Sequence, residues 1–257
     1  MATILDKIIE NKRREVDSKS PSDMDAIASL ALSSQQPIIS MRDNLAQSAT
    51  GIIAEFKRRS PSKGDIHAGA LVNEVVSGYE RHGASACSIL TDTVFFGGAL
   101  TDLCMARNTV NLPLLRKDFI VSEYQIYEAR VYGANAILLI AAALSFDEIV
   151  RFTTLAHNLN LEVLLELHSR EELDRFNPEA DMVGINNRNL ATFVTDPGLS
   201  LSMAQQLPAE TLKVAESGLT SMAEIHRLRD AGYRGFLIGE TFMKADNPGE
   251  ALKHFIN

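Results

Sequence analysis

Past residue 50 the chain alternates between two hydrophobic patterns. Short runs rich in Ile, Leu, Val and Ala end in polar residues and a turn, and each is followed by a stretch whose apolar residues recur at helical spacing. Eight such runs occur: "IIAEFK" from 52, "ASACSILTD" from 84, "LPLLRKDF" from 112, "ANAILLIAAAL" from 134, "LEVLLELH" from 161, "DMVGINNR" from 181, "TLKVAESG" from 211 and "RGFLIGE" from 234. Their spacing of roughly 20 to 30 residues is what a strand, a helix and two short connections require. Runs this continuously apolar predict strands covered on both faces. Between them, "LVNEVVSGYERHG", "SEYQIYEARVYG", "SFDEIVRFTTLAHNLN" and "SMAEIHRLRDAG" predict helices, three of which end in a capping glycine, Gly83, Gly133 or Gly232.

Uninterrupted alternation of β and α predicts a parallel sheet. Eight units predict an α/β fold closed into a (β/α)8 TIM barrel. An open doubly wound sheet usually carries a Gly-rich dinucleotide loop after its first strand, whereas that position here holds Lys57-Arg58-Arg59-Ser60-Pro61-Ser62. Ahead of the barrel, Ile4, Leu5, Ile8 and Ile9 recur at helical spacing with charges between them, which predicts an amphipathic helix packed on the main body. Residues 1–48 are therefore read as a helical extension. No linker, low-complexity segment or composition break divides the rest, so residues 1–257 are expected to form a single barrel domain.

Composition narrows the function. The 25 Lys and Arg against 33 Asp and Glu leave a formal charge of −8, which argues against a surface that seeks nucleic acid or anionic membrane. An anionic small molecule is still compatible, because a basic pocket can exist on an acidic protein. Cys87 and Cys104 are the only cysteines and lack metal-ligand spacing, so no disulfide framework or metal centre is expected and a cytoplasmic location is. The N-terminus has neither the apolar core nor the cleavage site of a signal peptide. The longest apolar run, residues 136–144, is far short of a membrane span.

In a (β/α)8 barrel the active site forms at the C-terminal ends of the strands. Here those ends carry Glu55 and Lys57, Arg116-Lys117-Asp118, Glu166 and His168, Asn186 and Arg188, and Glu216-Ser217. Glu55 and Lys57 lie two apart and so share one face of a strand. Burying so many ionisable groups is costly unless they pair or bind a ligand, which makes the ring a candidate site. For Glu55 with Lys57 the alternative is a structural salt bridge, and for Lys117 a solvated charge. His168 reads as structural or as a support to its neighbours, and Arg58, Arg59 and Arg116 as flanking surface charges.

A second signal is "AESGL" at 215–219 with "FLIGETFMKA" at 236–245. Gly218 and Gly239 would let backbone N–H groups approach an anion, and a short helix after Gly239 would point its N-terminus there. Glu240 fits beside a phosphate only if its backbone, not its side chain, faces the ligand. The alternative is that these glycines serve tight turns alone.

Taken in order, "IIAEFKRRSPSKG", "LTDTVFFGG", "LLRKDFIVSEYQIYEAR", "LLELHSREEL", "GINNRNLATF", "VAESGL" and "FLIGETFMKA" closely resemble the signature segments of the indole-3-glycerol-phosphate synthase family, along almost the whole chain from about residue 50. The resemblance implies a (β/α)8 barrel with an N-terminal helical extension that closes the indole ring of tryptophan biosynthesis on a phosphosugar substrate, 1-(2-carboxyphenylamino)-1-deoxyribulose 5-phosphate. The products would be indole-3-glycerol phosphate, carbon dioxide and water. General acids and bases suffice for this chemistry, so no cofactor and no metal are expected.

By the same resemblance, Lys117 is the general acid at the ketone oxygen, and Glu166 assists proton transfer and stabilises developing positive charge. Glu55 and Lys57 serve the dehydration, with Lys57 also in reach of the phosphate. Asn186, Arg188, Glu216 and Ser217 hold substrate and orient charged groups. Gly218 and Gly239, with the backbone at Glu240, hold phosphate, and Phe96, Phe119, Leu138 and Leu190 form the apolar wall for the anthranilate ring. Phe56 stands where an aliphatic residue is usual, on the other sheet face, where it alters packing only.

The residues leave two other functions open: a phosphosugar aldolase or lyase acting through a Lys Schiff base, and a sugar-phosphate binding protein without turnover. A monomer, a homodimer and association with another tryptophan-pathway enzyme are all compatible with the sequence.

Overall fold

The computed structural model describes residues 3–189 and 194–257. Eight parallel strands close into a barrel: β1 (Ile52–Phe56), β2 (Ala86–Leu90), β3 (Leu114–Lys117), β4 (Ala136–Ile140), β5 (Glu162–Leu167), β6 (Met182–Asn186), β7 (Lys213–Glu216) and β8 (Tyr233–Ile238). Each strand pairs with its sequence neighbours, and β8 returns to β1 with Phe236 opposite Ile52. All eight apolar runs of the sequence thus become barrel strands.

Along each strand, alternate side chains serve two different cores. Ile52, Ala54 and Phe56 of β1 pack outward against the helices, while Ile53 packs inward with Ala86, Leu115, Ala136, Leu164, Met182 and Val214. Burying one such aliphatic side chain contributes about 1.5–3 kcal/mol, so the two-sided burial fixes which residues face the barrel axis. A slip of one residue would exchange the two sets.

The outer layer comprises α4 (Val72–Arg81), α5 (Leu100–Thr109), α6 (Glu123–Val131), α7 (Phe146–Asn158), α8 (Gly198–Met203), α9 (Met222–Asp230), α10 (Glu240–Met243) and α11 (Pro248–Ile256). Gly83, Gly133 and Gly232 follow α4, α6 and α9 with positive φ, and Asn160 takes that conformation after α7. One unit departs from the regular alternation. After β5 the chain forms only a short 3-10 segment, Glu171–Arg175, before Pro178 and the next strand.

Three helices precede the barrel and bracket it: α1 (Ile4–Asp17), α2 (Pro21–Leu32) and α3 (Met41–Gln47). At the N-terminal end of the strands, Met41 and Leu45 of α3 plug the inner core. Glu162 anchors that helix by accepting from the backbone N–H groups of Met41 and Arg42 and from Ser40 Oγ. α2 packs on α6. α1 begins with a Thr3 capping box and lies across the opposite end, where its apolar face meets Phe95 and Phe96.

Candidate active site

The inward register of the strands carries ionisable groups to the C-terminal mouth. Two residues beyond inward-facing Ile53, Leu115, Leu164, Gly184 and Val214 stand Glu55, Lys117, Glu166, Asn186 and Glu216, the same face one step higher. All five line one cavity of about 240 Å3, together with Lys57, Arg188, Ser217, Gly218, Gly239, Glu240, Phe96, Phe119 and Leu138. Every sequence-predicted site residue among the described residues therefore meets in one place. Leu190 lies outside the described residues.

The charges are paired across strands. Lys117 Nζ donates to Glu166 Oε2 at 2.9 Å and lies 3.6 Å from Glu216 Oε2. Burial works against the Lys117 ammonium, but Glu166, Glu216 and Glu55 outweigh it and raise its pKa, so the group stays protonated. Burial likewise opposes ionisation of Glu166, yet Lys117 and His168 hold its carboxyl well below the usual range. Burial, with the charge of Glu166 beside it, pushes Glu216 well above that range. Lys57 Nζ donates to Glu55 Oε1 at 2.5 Å as a second pair on the same rim.

His168, just past β5, lies with Nε2 2.9 Å from Glu166 Oε1. Its position supports Glu166 from behind; it does not line the cavity. Asn186 Oδ1 accepts the backbone N–H of Arg188, whose guanidinium reaches Ser62 Oγ at 3.1 Å and Glu240 Oε2 at 3.3 Å. The Glu240 carboxylate also meets Lys244 at 2.6 Å, so its side chain is engaged by cations. Ser217 and Gly218, also lining the cavity, take consecutive positive φ values, 65° and 76°, turning the backbone sharply after β7.

Phe96 and Phe119 face each other with ring centroids 5.9 Å apart, beside Leu138. The sequence reading missed other parts of this apolar wall, among them Ile4, Leu5 and Ile8 of α1. The helical spacing gave α1 its apolar face, but not the surface on which it lands. Ser60, Ser62, Thr220, Thr241 and Lys244 are further lining residues with no sequence signal beyond proximity to the strand ends.

α1 is held there by a buried ammonium. Lys12 Nζ lies 3.0 Å from Asp92 and 3.1 Å from Asp118, the residue that follows Lys117. Arg116 corrects its reading as a surface charge: it is 2% exposed and reaches Thr91, Asp118, Glu128 and the Gln125 carbonyl. Arg58 is part-buried, paired with Asp102 and stacked on Phe56, whereas Arg59 is exposed. No group of three or more His, Cys, Asp or Glu among the described residues is arranged to hold a metal ion.

A closed parallel barrel with paired ammonium and carboxylate groups around one cavity at its strand mouths has the architecture of the (β/α)8-barrel enzymes. Residues 5–255 match the family model described as indole-3-glycerol phosphate synthase. The chain belongs to that family. It is 52% identical over 256 residues to the indole-3-glycerol phosphate synthase of Bacteroides thetaiotaomicron, covering 100% of this chain and 98% of the relative.

Solved structures at lower identity share the fold. A thiamine phosphate pyrophosphorylase from Pyrococcus furiosus superposes with a TM-score of 0.61 at 14% identity, over 84% of this chain and 96% of that one. An N-acetylmannosamine-6-phosphate 2-epimerase from Clostridium perfringens gives 0.60 at 14%, over 87% and 98%.

Proposed function

We propose that this cavity closes the indole ring: 1-(2-carboxyphenylamino)-1-deoxyribulose 5-phosphate enters, and indole-3-glycerol phosphate, carbon dioxide and water leave. In the first step the aryl carbon attacks the ketone while Lys117 gives a proton to the carbonyl oxygen. Glu166, anionic and beside Lys117, faces the positive charge that develops on the amine and ring, and carbon dioxide departs as that charge is relieved. In the second stage the new hydroxyl leaves as water and a proton is lost, served by Glu55 and Lys57. Proton transfers of this kind contribute about 10²–10⁴-fold each.

The remaining lining groups position the substrate. Phe96, Phe119 and Leu138 press the anthranilate ring toward the ketone, and Ile4, Leu5 and Ile8 roof it. Asn186, Arg188, Glu216 and Ser217 hold the polar middle of the substrate. The backbone at Gly218, Gly239 and Glu240, with Lys57 nearby, receives the phosphate.

One observation carries the acid/base reading over a Schiff-base aldolase: Lys117 is paired with Glu166 at 2.9 Å and held protonated. A nucleophilic lysine needs the opposite shift, toward the free amine. The deciding experiment incubates purified protein with the carboxyphenylamino ribulose phosphate and follows the growth of indole fluorescence. Binding without new emission would leave a sugar-phosphate binding protein, and a borohydride-trapped adduct at Lys117 would leave the aldolase.

The same reading takes residues 1–257 as one barrel domain with residues 1–48 as its helical extension. The bonds from Glu162 to α3 and from Lys12 to the β2 and β3 mouths support it. A cytoplasmic setting is supported by the biosynthetic relative and by Cys87 and Cys104, both free thiols.

A further inference from the structure

Two buried carboxyls share the Lys117 ammonium, and their surroundings differ. At Glu166 the Lys117 ammonium lies 2.9 Å from Oε2 and His168 Nε2 lies 2.9 Å from Oε1, an ion-pair distance with no aligned hydrogen bond at either ring nitrogen. Glu216 has Lys117 at 3.6 Å from Oε2, while its Oε1 is buried without a hydrogen-bond partner. That oxygen lies against Gly184, where a Cβ would come within 2.3 Å of it. An ionised carboxylate with one oxygen sealed from water and from donors is costly, and two like charges on one ammonium add to that cost. A carboxylic acid in the Glu216 position avoids both.

We propose that His168 is a positioning residue that assigns charge between these two groups: seated on Glu172 and set against Glu166 Oε1, its imidazolium keeps Glu166 as the anion and leaves the proton on Glu216. The inference rests on the reading of this cavity as an acid/base site. The 3-10 segment after β5 supplies the seat, since Glu172 accepts the His168 backbone N–H at 2.8 Å and lies 3.7 Å from Nδ1. The charges facing the ring are thus Glu166 from β5 and Glu172 from that segment, with Lys117 and Glu216 beyond Glu166. Burial opposes the imidazolium, but these two carboxylates raise the His168 pKa to about 9.

The assignment gives the pair different work. Anionic Glu166 faces developing positive charge and can accept a proton. Neutral Glu216 can donate a hydrogen bond, which a carboxylate cannot do, and Glu166 is the acceptor beside it. Without a cation behind Glu166, one proton would be divided between two carboxyls competing for Lys117, and part of the enzyme would hold the wrong one.

Neutron diffraction from crystals of the full chain at pH 7 reads the protons directly. The expected map has deuterium on Glu216, on both nitrogens of His168 and on neither oxygen of Glu166. Deuterium on Glu166, or a singly protonated imidazole, overturns the proposal whether or not the protein turns over the substrate. In the active enzyme His168→Asn is expected to lower kcat about tenfold at pH 7, with KM within about twofold. It also moves the acid limb of the kcat profile up by about one pH unit, since one unit is a tenfold change in charge state. Glu172→Gln, which keeps the imidazole, shifts the limb the same way by less and replaces the first variant if that one fails to fold. Profiles superimposable on wild type would make His168 structural only. Absence of turnover in the wild type overturns the cavity's functional reading instead, and the neutron map still decides the charge assignment.

Discussion

The Glu55 carboxyl occupies the space that a side chain at residue 239 would need: a Cβ on Gly239 would stand 2.3 Å from Glu55 Oε1 and 3.0 Å from Glu55 Cβ. β8 therefore approaches β1 closely at the mouth, and the Glu55–Lys57 pair depends on a missing side chain across the barrel. Gly239→Ala is expected to displace Glu55, at a cost of about 1–3 kcal/mol in overpacking and about a hundredfold in turnover from a displacement near 1 Å. Steady-state kinetics beside denaturant unfolding separate the two effects. Unchanged turnover would show that Glu55 need not stay where it is.

Lys117→Ala and Glu166→Gln test the central pair. Each is expected to lower kcat by about 10²–10⁴-fold, the range for loss of a positioned acid or base. Circular dichroism of both variants is expected to match wild type, because the barrel cores lie below this layer. A variant that keeps turnover removes its residue from the mechanism.

Acid should destabilise the protein through Asp118. Burial raises its pKa, but Arg116 and Lys12, aided by Thr91 and the Phe119 N–H, bring it down to about 2. A carboxyl depressed in the folded state contributes stability above its unfolded pKa and loses it as pH falls. The shift corresponds to about 2 kcal/mol, lost between about pH 4 and pH 2. Urea unfolding across that window should show the slope in wild type and a flatter one in Asp118→Asn.

His168 has the opposite sign. A raised imidazole contributes fully below its unfolded pKa near 6.5, and the contribution disappears as pH rises through about 9. Stability measured from pH 6.5 to 9.5 should decline by about 3 kcal/mol in wild type, with this part of the decline missing from His168→Asn.

Lys12→Met tests the fastening of α1. Removing the ammonium leaves Asp92 and Asp118 without a partner they now share, which costs about 3–5 kcal/mol in a buried setting. If α1 loosens, Ile4, Leu5 and Ile8 leave the cavity roof, and KM is expected to rise about tenfold. That is about 1.4 kcal/mol, less than one fully buried aliphatic side chain. Turnover at saturation should change less than KM, since Lys117 and Glu166 are anchored in strands.

Much of this architecture was legible in the sequence because it depends on local periods. The eight apolar runs became the eight strands, and the two-residue spacing of Glu55 and Lys57 put both on the cavity rim. Local reading failed where a residue's setting depends on distant elements. Arg116 stands in a charged triplet and looks solvated, yet Gln125, Glu128 and Asp118 enclose it. The fifth unit replaces its helix with a 3-10 turn that places Glu172 under His168. The apolar stripe of α1 was visible as a stripe and invisible as a roof.

The sequence by itself determined the alternation of elements, the shared face of Glu55 and Lys57 and the chemical types at the strand mouths, since backbone geometry ties these to spacings of two to four residues. Only the tertiary structure decided which charge meets which. Lys117 meets both Glu166 and Glu216 and stands closer to Glu166, His168 stands behind one carboxyl and not the other, and Lys12 reaches Asp118 from another helix. The energy of a buried charge is set by the partners and the water it has left, and barrel closure, not chain order, brings those partners together.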